Sequence, residues 1–386
     1  MTLEPVYYKN FKCKANRCKD NCCIGWEIDI DENTYNYYQK IEGDFSERLK
    51  NGIQTNDNIH SFKLDKKERC VFLNKNNLCD IIINLGKDRL CDICNNHPRY
   101  INSYENLTEW GIGIACEEAC RIILTQNEPV YFIDCSNGER YAENPFEKDS
   151  YFAYLFEIRN IIINILQNRN YNINKRLMAV ITVCEKVQSE CDSEKTNKEL
   201  FENLKAIKIL SDNFLIEDKE IPVENKDIKY QQLITQIINS YLNNEILESS
   251  WSELLKNLAK WVSNKSNEQL FTLHKTFKNE VKPELIFENL LVYLTYRYFL
   301  ESCYDDMIIE KAMFLFSSYV IINEILVYIF FENRSININE IIDIVHNYSK
   351  EVEYSDVNIN LLNQCYHTYN VYSTENISNL LNTFAF

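Results

Sequence analysis

A mainly α protein in two unlike parts is what the sequence predicts, and three observations carry that expectation. Cysteine is concentrated at the start: of the 15 in the chain, all but Cys184, Cys191, Cys303 and Cys365 lie within the first 135 residues. The 7 glycines, ending with Gly138, fall in almost the same stretch. Beyond it, apolar residues recur at three- and four-residue spacing, the mark of helices that bury one face. With 386 residues, 45% of them hydrophobic, the chain can bury a large core and is long enough for two domains. The expected division is an irregular, Cys-rich metal- or cluster-binding domain over residues 1–138, followed by an all-helical domain over residues 139–386.

The first part reads as turns wrapped around ligands, because glycine marks positive-φ turns and close backbone approach. Met1–Phe11 has neither a basic segment leading into an apolar run nor a small-residue cleavage site. No export signal is therefore expected, the protein is expected in the cytoplasm, and disulfides are not the default. The cysteine count is odd, Cys22 and Cys23 are adjacent, and Cys91 and Cys94 have the two-residue gap common among zinc and iron–sulfur ligands. Metal ligation is the reading that follows.

Cys13, Cys18, Cys22 and Cys23 bring four sulfurs into one short run, and Cys70, Cys79, Cys91 and Cys94 bring four more. These suffice for one [4Fe–4S] cluster with spare thiols, for two clusters, or for zinc sites, and spacing does not choose among them. Adjacent residues do not readily ligate one ion together, so one of Cys22 and Cys23 is expected to serve another centre or to pack as a small hydrophobe. His97 is either a further ligand or a hydrogen-bonded histidine that fixes the loop before Pro98. Cys116 is expected to ligate and Cys120, one helical turn on, to pack; Cys135 is open between the two roles.

In the second part Ser150 is expected to cap a helix carrying Phe152, Leu155, Phe156, Ile162, Ile163 and Leu166 on its apolar face. Further helices are expected near residues 229–242, 250–262, 283–303, 306–331, 339–349 and 358–384. Residues 189–227 are charged, weakly periodic and contain Pro222, which suggests a loop region or one short helix. The four late cysteines are expected to be buried free thiols.

The formal net charge is −16, with the acidic excess lying mostly after residue 135. Nucleic-acid binders display a basic face, so that class of partner is excluded. The acid serves as a solvating surface or steers a cationic, lysine-bearing partner. The most apolar stretch, Met307–Phe331, is interrupted by Glu310, Lys311, Asn323 and Glu324. Neither a bilayer-spanning helix nor a membrane partner is expected.

Three strings then stand out: FKCKANRCKDNCCIGWEIDID from Phe11, CVFLNKNNLCDIIINLGKDRLCDICNNHPRY from Cys70 and GIGIACEEACRIIL from Gly111. Together they resemble the bacterial flagellin lysine-N-methylase family over about residues 8–125, and more loosely the wider group of cysteine-cluster proteins. The resemblance implies methyl transfer from S-adenosylmethionine to lysine ε-amines of flagellin. It also implies an iron–sulfur cluster held by cysteines among Cys13, Cys18, Cys22, Cys23, Cys70, Cys79, Cys91, Cys94 and Cys116. The first string departs from the radical Cys-x3-Cys-x2-Cys signature, since Cys22 is followed directly by Cys23. A doubly wound methyltransferase is not expected either: the close glycine pair Gly111 and Gly113 lacks a third glycine and a surrounding βαβ pattern.

Trp26 is a candidate for shielding a cluster or stacking on a sulfonium, against a plain core role. Arg99 is a candidate for binding a cofactor carboxylate, against a structural one. Glu117 and Glu118 are candidates for orienting or deprotonating a lysine amine, although acids in a first helical turn commonly serve the dipole. The tyrosines Tyr7, Tyr8, Tyr35, Tyr37 and Tyr38 would suit a lysine channel or plain packing. Two other functions stay open on these residues: an iron–sulfur electron-transfer protein, and a non-enzymatic interaction module stapled by zinc.

Overall fold

The computed structural model describes residues 1–141, 146–147, 150–193, 195–216 and 230–383. They form two compact units, one of Met1–Ile122 with Asp134–Asn137, the other of Ile123–Ile133 with the chain from Gly138 onward.

Unit one has more regular structure than its glycines suggest. Its elements are β1 (Thr2–Pro5), α1 (Glu32–Gln39), α2 (Ser46–Asn51), β2 (Ile53–Asn56), β3 (Ile59–Phe62), α3 (Asp80–Leu85), α4 (Asp92–Asn96), β4 (Arg99–Ser103), β5 (Thr108–Ile112) and α5 (Glu117–Leu124), whose last residues enter unit two. Strands β4 and β5 pair antiparallel from Arg99↔Ile112 to Ser103↔Thr108, and β1 joins β5 in parallel. Gly111 is needed there because a Cβ would come within 2.1 Å of the Tyr100 ring. That glycine therefore serves strand packing. The β2–β3 hairpin turns through Asp57 and Asn58, both left-handed, as a two-residue hairpin requires. Ile28, Ile30, Tyr38, Leu49, Ile53, Phe62, Phe72 and Ile81 make the core, and Cys70 and Cys91 are buried within it.

Unit two is helical. Ser150 caps α6 (Tyr151–Leu166) by accepting from Ala153 N at 3.0 Å, as expected. Asn172 then caps α7 (Ile173–Cys191), a helix the apolar spacing did not announce. In the stretch expected to be a loop or one short helix stand two, α8 (Asn197–Glu202) and α9 (Leu204–Ile216). A capping box of Thr196 and Glu199 starts α8, and Leu200, Leu204, Ile207 and Leu215 are buried beneath the charged residues. Pro222 lies outside the described residues. Next come α10 (Tyr230–Leu242), α11 (Ser249–Ser263) and the unexpected α12 (Asn267–Val281), opened by a Ser266–Gln269 capping box. The chain continues as α13 (Glu284–Tyr298), α14 (Ser302–Asp305), α15 (Ile308–Asn333) and α16 (Ile338–Tyr348). The helix expected over 358–384 is two, α17 (Asp356–Thr368) and α18 (Thr374–Thr383), because Tyr369 turns extended and residues 370–372 make a 3₁₀ turn.

Helix α15 is long and apolar enough to cross a membrane, yet 83% of its apolar window is buried inside the unit. It packs against α7, α11, α12, α13, α16 and α17, so it is the central strut of this unit. Its buried acid, Glu324, accepts from Tyr230 Oη at 2.8 Å and lies 3.1 Å from His274 Nε2.

A second buried acid, Glu288 on α13, lies 2.7 Å from Arg176 Nη1 on α7 and takes a forked contact from Arg169. Glu288 and Arg176 are almost wholly buried. Removing one partner leaves the other charge unpaired in an apolar interior. Glu288→Ala is expected to cost the helical unit about 3–5 kcal/mol in urea unfolding, and a loss below 1 kcal/mol would contradict this account.

Candidate functional site

The thiols gather in two sets. Cys23, Cys70, Cys79, Cys91 and Cys94 line or pack on the unit-one core. Cys70 N donates to Cys23 O at 2.9 Å, which ties the early cysteine run to the later one. Cys79 stands at the N-terminus of α3 and Cys91 at that of α4, with Cys94 inside α4. Asp31 holds α4 in place, its carboxylate accepting from Thr34 N at 2.9 Å and from Asp92 N at 3.0 Å. The Cys91 and Cys94 thiols share a hydrogen bond that lowers the first and raises the second well above the usual thiol range; Cys23 and Cys70 add to the rise at Cys94. Burial pushes Cys70 up to about 11, with Cys79 and Cys91 contributing.

The other set is Cys13, Cys18, Cys22 and Cys116, with His97. Burial first, then Glu117, Cys116, Cys13 and Cys22, raise Cys18 to about 12. Burial raises Cys116 to about 11, with Cys22 and Glu118 adding to it. The Cys22 thiol is raised first by its hydrogen bond with Cys23, while His97 works the other way. His97 Nε2 is buried without a hydrogen-bond partner.

Glu117 and Glu118 hold this set together. Glu117 Oε2 accepts from Lys19 N at 2.7 Å and Asp20 N at 3.4 Å, beside Cys18. Glu118 pairs with Lys14 at 2.5 Å and with Arg121 at 2.5 Å. Both carboxylates thus clamp the first cysteine run onto the start of α5, next to Cys116. Arg99 lies over the rings of Phe11 at 5.1 Å and Tyr8 at 5.8 Å, and Trp26 packs half-buried on the core. Cys120 is wholly buried, and Cys135 N bonds Thr2 O at 2.8 Å. Cys184 and Cys365 are buried; Cys191 and Cys303 are half-buried.

All the cysteines are free thiols. Among the described residues, no three His, Cys, Asp or Glu side chains stand close enough to hold one metal ion. A tetrahedral zinc site would bring sulfurs to about 3.8 Å of one another, given Zn–S bonds near 2.3 Å. A cluster bonds each thiolate to a different iron and so takes a wider set. Sulfur-rich donors on an apolar core and an orphaned imidazole nitrogen fit such a group by chemistry.

Unit two carries a cleft of about 910 Å³. Tyr131, Tyr141, Arg140, Glu157, Lys205 and Lys208 are among its lining residues, and the Arg140 guanidinium lies 4.9 Å from the Tyr131 ring. One wall is fixed by Gln167, whose amide bonds both the N–H and the C=O of Val130, and by Phe132 stacked on Tyr296 at 4.5 Å. Sequence reasoning missed these residues, and Tyr230, His274 and Glu324 as well. The i, i+3 lysine pair on α9 was their one visible trace.

Fold and thiols define a class: a small cysteine-rich α/β unit followed by a helical unit. Residues 159–380, over half of the chain, match the FliB lysine N-methylase C-terminal domain, and the chain belongs to the FliB lysine N-methylase family. It is 30% identical over 135 residues to the lysine-N-methylases of Salmonella choleraesuis and Salmonella typhimurium, covering 33% of this chain and 32% of each relative. The match thus spans about a third of those relatives' length. The flagellar biosynthetic protein FliU of Salmonella muenchen is also 30% identical over 135 residues, 77% of its own length. No solved structure matches.

Asp31 links pH to the core thiol set, through α4 and its Cys94. Burial works against its carboxylate, but the Asp92 and Thr34 N–H groups outweigh it and hold its carboxyl below the usual range. A lowered folded value means the contribution is present above the unfolded value of about 3.9 and is lost as pH falls through the folded one. Asp31→Asn removes the oxygen that accepts from Asp92 N and is expected to cost about 1 kcal/mol at neutral pH, and the gap to the native chain should close below about pH 4. Thermal unfolding across that range checks both; a gap that widens in acid would contradict the assignment.

Proposed function

We propose that the protein is a cytoplasmic protein-lysine N-methyltransferase that moves a methyl group from S-adenosylmethionine to flagellin lysines, and that its thiols hold an iron–sulfur cluster. The observation that carries the reading is the family match over residues 159–380, which falls on the helical unit. The names of the three relatives, lysine-N-methylase twice and a flagellar biosynthetic protein once, supply the reaction class and its setting.

In this reaction the lysine nitrogen lone pair attacks the methyl carbon. The carbon–sulfur bond breaks with its electrons going to sulfur, and the amine's proton leaves to a base or water. The amine must arrive neutral. We place S-adenosylmethionine in the unit-two cleft. Its volume suits a ligand of that size, Tyr131 and Tyr141 offer faces for a purine, Lys205 and Lys208 suit a carboxylate, and Glu157 suits a cation. The formal net charge of −16 supports attraction of a lysine-bearing partner.

Calorimetric titration with S-adenosylmethionine tests the cleft. Lys205→Glu with Lys208→Glu is expected to weaken binding at least tenfold, about 1.4 kcal/mol. Unchanged affinity would move the cofactor elsewhere without touching the reaction class.

With S-adenosylmethionine and flagellin, mass spectrometry is expected to find lysines heavier in steps of one methyl group, at a rate that falls as salt rises. Unmodified flagellin beside a chain whose iron reduces reversibly would replace this reading with electron transfer. Methylation indifferent to salt would remove the steering alone.

A further inference from the structure

We infer that the unit-two cleft binds an extended polypeptide by its backbone, and that the side-chain amides of Asn160 and Asn164 on α6 are the groups that grip it. The occupant is a lysine-bearing segment of the protein substrate. The inference therefore rests on the reading that methyl transfer takes place in this cleft, and it names how the acceptor is held there.

Three observations carry it. First, α6 is buried from Phe152 to Leu166 except at Glu157, Asn160 and Asn164, and all three line the cleft. Gln167 just beyond the helix lines it too, so the four make one polar stripe about 15 Å long on an otherwise apolar helix. Second, the stripe offers amides to a ligand. Among the described residues the side chains of Asn160 and Asn164 have no hydrogen-bond partner, whereas Gln167 already grips the N–H and the C=O of Val130. A side-chain amide carries a donor and an acceptor side by side, which is the complement of a peptide group. Third, the interval fits. Asn160 and Asn164 stand about 6 Å apart along the helix axis, and an extended chain repeats its peptide groups on one side about every 6.6 Å. Two amides at that interval hold an extended segment whatever its side chains. The cleft also has room: its volume of about 910 Å³ is near the top of the roughly 300–1,000 Å³ that single small ligands use, which leaves space beside the donor. The stripe ends at Glu157, the carboxylate proposed for the donor's cation, so a backbone held along it brings a lysine side chain toward the methyl group.

The test is calorimetric binding of a short capped peptide with one central lysine to the full-length chain, beside titration with S-adenosylmethionine. Asn160→Ala with Asn164→Ala is expected to weaken the peptide at least tenfold, about 1.4 kcal/mol, and to leave the affinity for S-adenosylmethionine unchanged. Alanine forms helix better than asparagine, so α6 is kept. Methylating the peptide's own backbone nitrogens at alternate residues removes its donors. That change is expected to cost the native chain a similar factor and the double variant little more. A double variant that binds the peptide as the native chain does, or a native chain that binds both peptides alike, overturns the inference. Weakened S-adenosylmethionine instead gives the amides to the donor and overturns it as well. A native chain that takes S-adenosylmethionine but no peptide overturns the inference and leaves the methylase reading standing. Peptide held by the two amides, yet never methylated when S-adenosylmethionine is present, upholds the inference and removes the methylase reading.

Discussion

The hydrogen bonds that the Glu117 carboxylate accepts from Lys19 and Asp20 are the constraint on which the first thiol set depends. Residues 12–22 contain one 3₁₀ turn and no buried residue, so no apolar burial holds them. With so little core beneath it, a segment of this kind opens easily unless polar contacts or a ligand restrain it. Glu117, the Lys14–Glu118–Arg121 group and the Cys23–Cys70 backbone bond are among the restraints present. They make the two glutamates positioning groups, and their location beside Cys116 follows from that task.

Burial adds a second constraint. Taking Cys18, Cys70 and Cys116 out of water raises their thiols to about 11 or 12, which opposes the thiolate a metal requires. A bound cation reverses that balance, because its charge is the largest in the site. Were these thiols to hold a metal, its binding would be coupled to the folding of this unit. The helical unit solves its own charge problem without a ligand: Glu288 meets two arginines, and Glu353 meets Arg297, Tyr293, Tyr298 and Ser349.

Much of this was legible in the sequence because it depended on local pattern. Ser150 as a cap, α10, α11 and the apolar run of α15 follow from side-chain periodicity and capping chemistry. Helix α12 was not, since only Leu270, His274 and Phe277 are buried along it, a stripe too narrow to read. Helix α7 was hidden by Asn174 and Arg176, polar residues buried through partners distant in sequence. The strands β1 to β5 of unit one are four or five residues long, too short for alternation to rise above the turns around them. That Cys22 and Cys23 do not share an ion is an expectation from covalent geometry. Which thiols stand near each depended on contacts such as Lys19 with Glu117, 98 residues apart.

The cleft shows the same limit and bears on the proposed reaction. Its lining comes from the 130–141 segment, α6, α8 and α9, so no window of sequence contains it. In methyl transfer the donor sulfonium is cationic, and lysine is cationic in water until it gives up a proton. Two like charges repel on approach in a partly desolvated site. An acidic surface would draw the protonated amine toward the protein, and if the donor occupies the cleft as proposed, Glu157 of its lining would offset the sulfonium charge. The amine still has to be neutral when it attacks, and in the proposed site the basic residues of the cleft would favour that form. Arg140, Lys205 and Lys208 with Glu157 and Glu202, all residues of the cleft lining, would therefore divide the work, the cations holding a carboxylate and penalising a charged lysine, the acids steadying the sulfonium.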